Sequence, residues 1–273
     1  MTNEERSALA ERARHIRGHI IRMLASAGSG HPGGSLSAAD ILSVLYFKRM
    51  RIDPKNPNRP DRDRFVLSKG HAAPVLYGTL AEAGFFPAEQ VMTLRQFGSI
   101  LQGHPDMRKC PGVEMSTGSL GQGLSVANGM AIAAKLDQKD YRVYVLLGDG
   151  EIEEGQVWEA AMTSVHYKLD NLTAFLDYNH LQIDGKIEDV KSNTDPAGRF
   201  KAFGWHVIEI DGHDLDGIDQ AITEAQATKD KPTMIIAHTI KGKGVSFMEN
   251  QAGWHGAAPK QEDAQKALAE LGF

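Results

Sequence analysis

The sequence predicts an α/β protein with a doubly wound, mainly parallel sheet and helices on both faces. Three observations carry that expectation. Short apolar runs alternate with stretches of helical periodicity along the 273 residues. Two runs, Val143-Tyr144-Val145-Leu146-Leu147 and Leu172-Thr173-Ala174-Phe175-Leu176, are continuously apolar, as strands buried on both faces are. Both then break into polar, chemically equipped segments, Gly148-Asp149-Gly150 and Asp177-Tyr178-Asn179. In an open α/β sheet, ligands bind beyond the carboxyl ends of the strands.

The elements follow in order. Residues 4–27 place Leu9, Ala13, Ile16, Ile20, Met23 and Leu24 on one helical face. His15 and His19 have i,i+4 metal-pair spacing there, but the neighbouring sequence supplies no third ligand. Residues 28–35, Gly-Ser-Gly-His-Pro-Gly-Gly-Ser, almost match a P-loop, yet Gly34 stands where the phosphate-binding lysine belongs, so that reading is rejected. Ser37-Ala38-Ala39-Asp40 reads as the start of a helix reaching about Met50. A proline-rich connection over 53–63 leads to a short strand, 64–67, then to Ser68-Lys69-Gly70-His71. Helices are expected over 72–83, closed by Gly84, and over 87–97, closed by Gly98. Residues 99–117 lack periodicity and read as a long loop, a feature usually tied to function.

Gly118-Ser119-Leu120-Gly121-Gln122-Gly123 opens a small-residue helix to about Leu136; such a turn can present backbone N–H groups to a phosphate, although it lacks dinucleotide-fingerprint spacing. A helix is expected over 155–168, with Trp158 as core and with Glu151, Glu153 and Glu154 favouring its dipole. Gln182-Ile183-Asp184-Gly185 reads as a turn. Beyond it come a helix over 195–203, a strand over 205–210, Asp211-Gly212-His213-Asp214, a helix over 215–228, a strand over 233–237 and a polar closing helix.

Composition narrows the function classes. A net charge of -5 offers no basis for nucleic-acid or membrane binding. The polar start is unlike a signal peptide, and no apolar run approaches the roughly 20 residues of a membrane helix. Cys110 is the only cysteine, which excludes an intramolecular disulfide and suits a cytoplasmic setting. With no repeat or linker visible, residues 1–273 are expected to form one domain.

Asp149 and Asn179, at the ends of adjacent strands, would offer one cation a carboxylate and an amide oxygen, donors suited to Mg²⁺ or Ca²⁺. Histidines in glycine and proline settings gather around them: His31, His71, His104 and His255. Gly148-Asp149-Gly150 followed by Asn179 resembles the thiamine-diphosphate motif. The surrounding Ser29-Gly30-His31-Pro32-Gly33, Ser68-Lys69-Gly70-His71-Ala72, Gly103-His104-Pro105, Gly118 to Gly123, Asp211-Gly212-His213-Asp214 and His255-Gly256-Ala257 are similar to the transketolase family.

The resemblance implies the thiamine-diphosphate-binding fold, specifically the diphosphate-binding domain. It also implies Mg²⁺ (with Ca²⁺ or Mn²⁺ as possible substitutes) on Asp149, Asn179 and the carbonyl of Leu181. Gly118, Leu120, Gly150, Ile183, Ile240, His71 and His255 would line the cofactor. His31, His71, His104 and His255 would polarise the substrate carbonyl and move protons; Glu154 corresponds to a carboxylate in a proton relay between active sites, with helix capping as the plainer role. His180 is a departure, since a small residue is expected after the metal-binding asparagine.

The family's pyrimidine-binding and carboxyl-terminal domains have no counterpart in these residues. The chain therefore resembles the N-terminal subunit of a split transketolase that transfers a two-carbon ketol unit between sugar phosphates. The partner would carry the pyrimidine-binding domain and the glutamate that activates the cofactor, in a heterotetramer or dimer of heterodimers. Alternatives are a specialised pentulose-phosphate transketolase, a relative of 1-deoxyxylulose-5-phosphate synthase or dihydroxyacetone synthase, or a non-catalytic cofactor-binding module. The intact histidine loops favour a catalytic transketolase.

Overall fold

The computed structural model describes residues 1–191 and 194–273. Five strands, β1 (Arg64–Leu67), β2 (Val143–Gly148), β3 (Leu172–Tyr178), β4 (His206–Asp211) and β5 (Thr233–His238), form one parallel sheet in the order β1-β2-β3-β5-β4. The predicted doubly wound α/β fold is the one observed. Within β2, Tyr144 and Leu146 enter one apolar layer while Val143, Val145 and Leu147 enter the other, as the period-2 geometry of a strand requires. The first layer packs beneath α1 (Asn3–Ala27), α3 (Ala39–Val44), α4 (Ala73–Ala83), α9 (Leu215–Ala227) and α10 (Gln261–Glu270). The second packs beneath α5 (Gly123–Leu136), α6 (Gly155–His166), the short α7 (Ile187–Val190) and α8 (Pro196–Ala202).

Helix α1 begins with a capping box, in which the Thr2 hydroxyl accepts from Glu5 N–H and the Glu5 carboxylate accepts from Thr2 N–H. Gly28, at φ 60°, closes it with a left-handed residue. Its expected apolar face is buried throughout. His15 lies between Glu11 and Glu82, and His19 approaches Glu82 at 3.4 Å. Among the described residues no group of three His, Cys, Asp or Glu is arranged to hold a metal.

Three sequence expectations need correction. The helix expected from Ser37-Ala38-Ala39-Asp40 to about Met50 is present, as α3 continued by a π-helical turn over Leu45–Arg49, but it lacks the expected cap, and a separate helical turn, α2 (Gly33–Leu36), precedes it. Ser37 donates instead to Asp177 Oδ2 at 2.6 Å, and Asp40 pairs with Arg17, so neither side chain is left to cap a helix. The expected helix over 87–97 is a 3-10 turn, Ala88–Thr93, ended where Arg95 takes φ 63° and its N–H donates to Leu101 O. Glu151 is a buried acceptor rather than a residue placed to favour a helix dipole. The long loop lacks helix and strand as expected; the Tyr77 hydroxyl holds it at the carbonyls of Gln102 and His104, 2.9 and 3.0 Å away.

No helix among the described residues is long and apolar enough to cross a membrane.

Candidate active site

A cavity of about 280 Å³ opens beyond the carboxyl ends of β1, β2, β3 and β5. Of the residues expected from the sequence, His31, His71, His255, Gly118, Leu120, Asp149, Gly150, Asn179, Leu181 and Ile183 line it. Three others do not. His104 is exposed on a neighbouring cavity, with its ring beneath Gly118; Ile240 lies one residue before the lining residue Lys241; Glu154 is exposed beside Gly121. Glu154 occupies the N-cap position of α6, yet its side chain makes no capping hydrogen bond, which removes the plainer of its two roles.

The cavity forms where loops approach more closely than ordinary side chains permit. A Cβ on Gly70 would lie 2.6 Å from the backbone nitrogen of Gly118. Gly118 itself adopts φ 146°, which glycine accepts without strain, and so brings the 118–122 turn over His104. Glu151 then braces this turn. Its carboxylate accepts from Ser68 Oγ at 2.5 Å and from the N–H groups of Gly121 and Gly148, each at 3.0 Å. One buried carboxylate thereby ties the β1 loop, the glycine turn and the end of β2 together.

Asp149 ends β2 as a buried carboxylate. It accepts from Gly150 N–H at 2.9 Å through one oxygen, and from Asn179 and His180 N–H at 2.9 and 2.7 Å through the other. Burial raises its pKa to about 7, and the charge of Asp177 adds to the effect. Asn179 Oδ1 accepts from Leu181 N–H at 3.2 Å, and the Leu181 carbonyl accepts from Lys241 Nζ at 3.0 Å. A carboxylate, an amide oxygen and a backbone carbonyl are the hard donors that Mg²⁺ prefers. A divalent ion would also relieve the concentrated negative charge of Asp149 and Asp177. The donor set therefore fits such an ion.

Behind it lies a buried ion pair that the sequence alone does not reveal. The Lys69 ammonium pairs with fully buried Asp177 and donates to Gly34 O at 2.7 Å, while the hydroxyls of Ser37 and Thr239 also bind Asp177. Lys241, only 2% exposed, reaches Leu181 O and His255 Nδ1, at 3.0 and 2.9 Å. Burial lowers its pKa to about 8, against the opposing pull of Asp149. Lys69 offsets the charge of Asp177, which leaves Lys241 as the positive charge at the place where an anion would enter. The only trace of them in the sequence is a lysine beside each strand-end glycine, a pattern equally at home on a solvated loop.

Three histidine rings cluster around the cavity. Centroids of His31 and His71 are 5.2 Å apart, His71 and His255 5.2 Å, and His31 and His255 5.5 Å. Burial and then the nearby lysine charges push His71 down to about 2 and His255 to about 3. Burial likewise lowers His31, followed by the charge of Arg95. All three are neutral near pH 7, so each ring offers one N–H to donate and one nitrogen lone pair to accept a hydrogen bond. His31 Nδ1 is buried with no hydrogen-bond partner among the described residues, a nitrogen that a bound ligand would satisfy.

Gln182, read from the sequence as part of a turn, is another lining residue. Its amide donates to Glu153, which explains why that glutamate stays near the site. His180 turns the other way. At φ 65° its ring packs on Tyr178, with centroids 4.1 Å apart, and faces a second cavity shared with Lys186, Glu188 and Asn250.

Comparison with known proteins agrees with this geometry. Residues 9–273 match the family model described as the transketolase, thiamine diphosphate binding domain. The chain is similar to the 6-deoxy-6-sulfo-D-fructose transketolase subunit SqwG of Clostridium sp. (strain MSTE9), with 46% identity over 269 residues covering 98% of each chain. It is 48% identical over 255 residues to one subunit of the apulose-4-phosphate transketolase of Phocaeicola vulgatus, covering 93% of this chain and 90% of that one. The crystal structure of transketolase from Campylobacter jejuni superposes with a TM-score of 0.92 at 38% identity, covering all of this chain but 43% of that chain. The chain thus spans about two fifths of the length of that transketolase and nearly the full length of the two subunits.

Proposed function

Since the chain belongs to the transketolase family through its thiamine-diphosphate-binding domain, we propose that it is the diphosphate-binding, N-terminal subunit of a split ketol transferase. Residues 1–273 would be one such domain. Asp149, Asn179 and the Leu181 carbonyl would hold Mg²⁺. Lys241, His71 and His255, with the backbone of Gly118, Leu120 and Gly150, would receive the diphosphate; Ile183, 67% exposed, would give the cofactor an apolar contact at the cavity mouth. When bound, thiamine diphosphate supplies the electron sink that carries a two-carbon unit between sugars.

The chain's own part is charge, orientation and proton movement. Lys69 keeps Asp177 neutralised beneath the floor, so an entering diphosphate meets Lys241 and the metal rather than an uncompensated carboxylate. His31, His71 and His255, neutral in their buried setting, would polarise a substrate carbonyl through a donated hydrogen bond, and the negative charge of a bound diphosphate would raise their basicity toward taking a hydroxyl proton. His104, on the exposed loop beside Gly118, would act on the substrate without being needed for the cofactor. Glu154, exposed at the start of α6, would serve a relay reaching another subunit.

The partner would be a second polypeptide carrying the pyrimidine-binding domain and the activating glutamate, in an assembly of two copies of each chain. Two near-full-length relatives named as transketolase subunits support this. The substrates in their names, 6-deoxy-6-sulfo-D-fructose and apulose 4-phosphate, also support a sugar with an anionic end. The single buried cysteine is compatible with the cytoplasm.

The observation that carries the reading is the convergence of Asp149, Asn179, the Leu181 carbonyl and Lys241 on one cavity at adjoining strand ends. Isothermal titration tests it. Thiamine diphosphate should bind with Mg²⁺ present and fail to bind after chelation. Failure to bind under both conditions, with the chain alone and with it co-expressed beside its partner, overturns the assignment.

A further inference from the structure

We propose that His213 is a positioning residue that fixes the backbone of Ile240, and through it Lys241, at the edge of the cavity. This rests on the reading of that cavity as the diphosphate site. Strand β5 ends at His238, and the last backbone bond into the sheet is donated by Thr239 N–H to Tyr178 O at 3.1 Å. Ile240 is therefore the first residue beyond the ladder, and its N–H must find another acceptor. It donates to His213 Nε2 at 2.9 Å.

That contact defines the tautomer. A backbone N–H only donates, so Nε2 carries no proton and the neutral ring bears its hydrogen on Nδ1. Nδ1 then donates to Asp40 Oδ2, 2.8 Å away. Asp40 is in turn clamped by both terminal nitrogens of Arg17, at 3.1 and 2.6 Å. Arg17 on α1, Asp40 on α3 and His213 after β4 thus form a chain of polar contacts anchored in two helices and ending on one amide. The loop bearing His213 is itself held, because Gly212 N–H donates to His238 O at 2.8 Å and His213 N–H to Asp211 Oδ1 at 2.8 Å.

The consequence falls on the next residue. Thr239 is fixed by its hydroxyl to Asp177, and Lys241 points Nζ at Leu181 O and His255 Nδ1. Ile240 joins these two anchors, and its amide is held from the His213 side. The segment is also held by Lys243 N–H on Ile240 O, Asn250 N–H on Lys241 O and Gly242 N–H on Gly33 O, at 3.1, 2.9 and 3.0 Å, so loss of the His213 acceptor leaves one unpaired amide at Ile240, and the backbone shift that re-pairs it draws the ammonium away from the Leu181 carbonyl.

Three variants of the full chain separate positioning from general support. H213Q keeps an amide oxygen at about the reach of Nε2; H213N reaches Asp40 but not Ile240; H213L does neither. Amide exchange at Ile240, resolved by NMR, and thiamine diphosphate affinity at saturating Mg²⁺ are the readouts. H213N and H213L should each speed Ile240 exchange and weaken cofactor binding about tenfold, the scale of one hydrogen bond. H213Q should stay within about threefold of wild type in both. Should H213L fail to fold, the H213Q and H213N pair carries the comparison. Unchanged Ile240 exchange in H213N, or equal loss of cofactor in H213Q and H213N, overturns the proposal. If wild type binds no thiamine diphosphate while H213N still frees Ile240, the cavity's assignment fails and the positioning role stands.

Discussion

Replacing Asp149 with asparagine should stabilise the cofactor-free chain and destroy its cation-dependent function, with the first effect growing with pH. In the folded chain burial and Asp177 hold the Asp149 pKa at about 7, against 3.8 for a free aspartate. A carboxylate whose pKa is raised on folding binds its proton more tightly folded than unfolded. Stability is therefore lost as pH climbs from the unfolded value to the folded one. Between pH 5 and pH 7 the wild-type Asp149 is protonated when folded and ionised when unfolded. At about 1.4 kcal/mol per pH unit, falling off near pH 7 where half of the folded groups are already ionised, it gives up about 2 kcal/mol over that interval. The replacement amide does not titrate, so the D149N-minus-wild-type stability difference should become about 2 kcal/mol more favourable from pH 5 to pH 7. The window closes at pH 7 because Lys241, lowered to about 8, begins to titrate above it. Urea unfolding at the two pH values measures the difference, and calorimetric titration of thiamine diphosphate with Mg²⁺ measures the loss of function. A pH-independent difference would refute the electrostatic account, and retained Mg²⁺-dependent binding would refute the metal role.

Other substitutions probe separate parts of the site. K241M should weaken cofactor binding by about ten- to a hundredfold through loss of a charge-assisted contact, read by titration, with little change in unfolding midpoint. E151Q should cost about 2 kcal/mol in chemical denaturation, because one neutral amide cannot satisfy Ser68 and two backbone N–H groups as the carboxylate does. H104A should leave cofactor affinity within about twofold while lowering turnover in the reconstituted enzyme by about a hundredfold, the usual scale of general acid–base assistance.

Much of the fold and site is legible in the residues, and the exceptions have physical reasons. Continuous apolar runs mark β2 and β3 because strands buried on both faces leave no room for polar alternation. Asp149 and Asn179 stand out because polar groups end those runs abruptly. Lys69, Lys241 and Glu151 escape notice because charged residues beside glycine usually face water. Their burial depends on partners distant in the chain, Glu151 on Gly121 at 30 positions and Lys69 on Asp177 at 108 among them. His213 is visible only as part of a motif; its role needs Asp40 and Ile240, which no local pattern connects. The helix expected over 87–97 fails for a local reason, since Arg95 leaves helical φ where the chain turns back to Leu101.

The proposed function gives this chain one half of a two-chain site. Ketol transfer from a ketose phosphate to an aldose acceptor, measured with thiamine diphosphate and Mg²⁺ for the purified chain alone and after adding the partner chain, tests it most directly. Cofactor binding without turnover is expected for the chain alone, and turnover once the second chain is present. Full ketol transfer by the chain alone would contradict it.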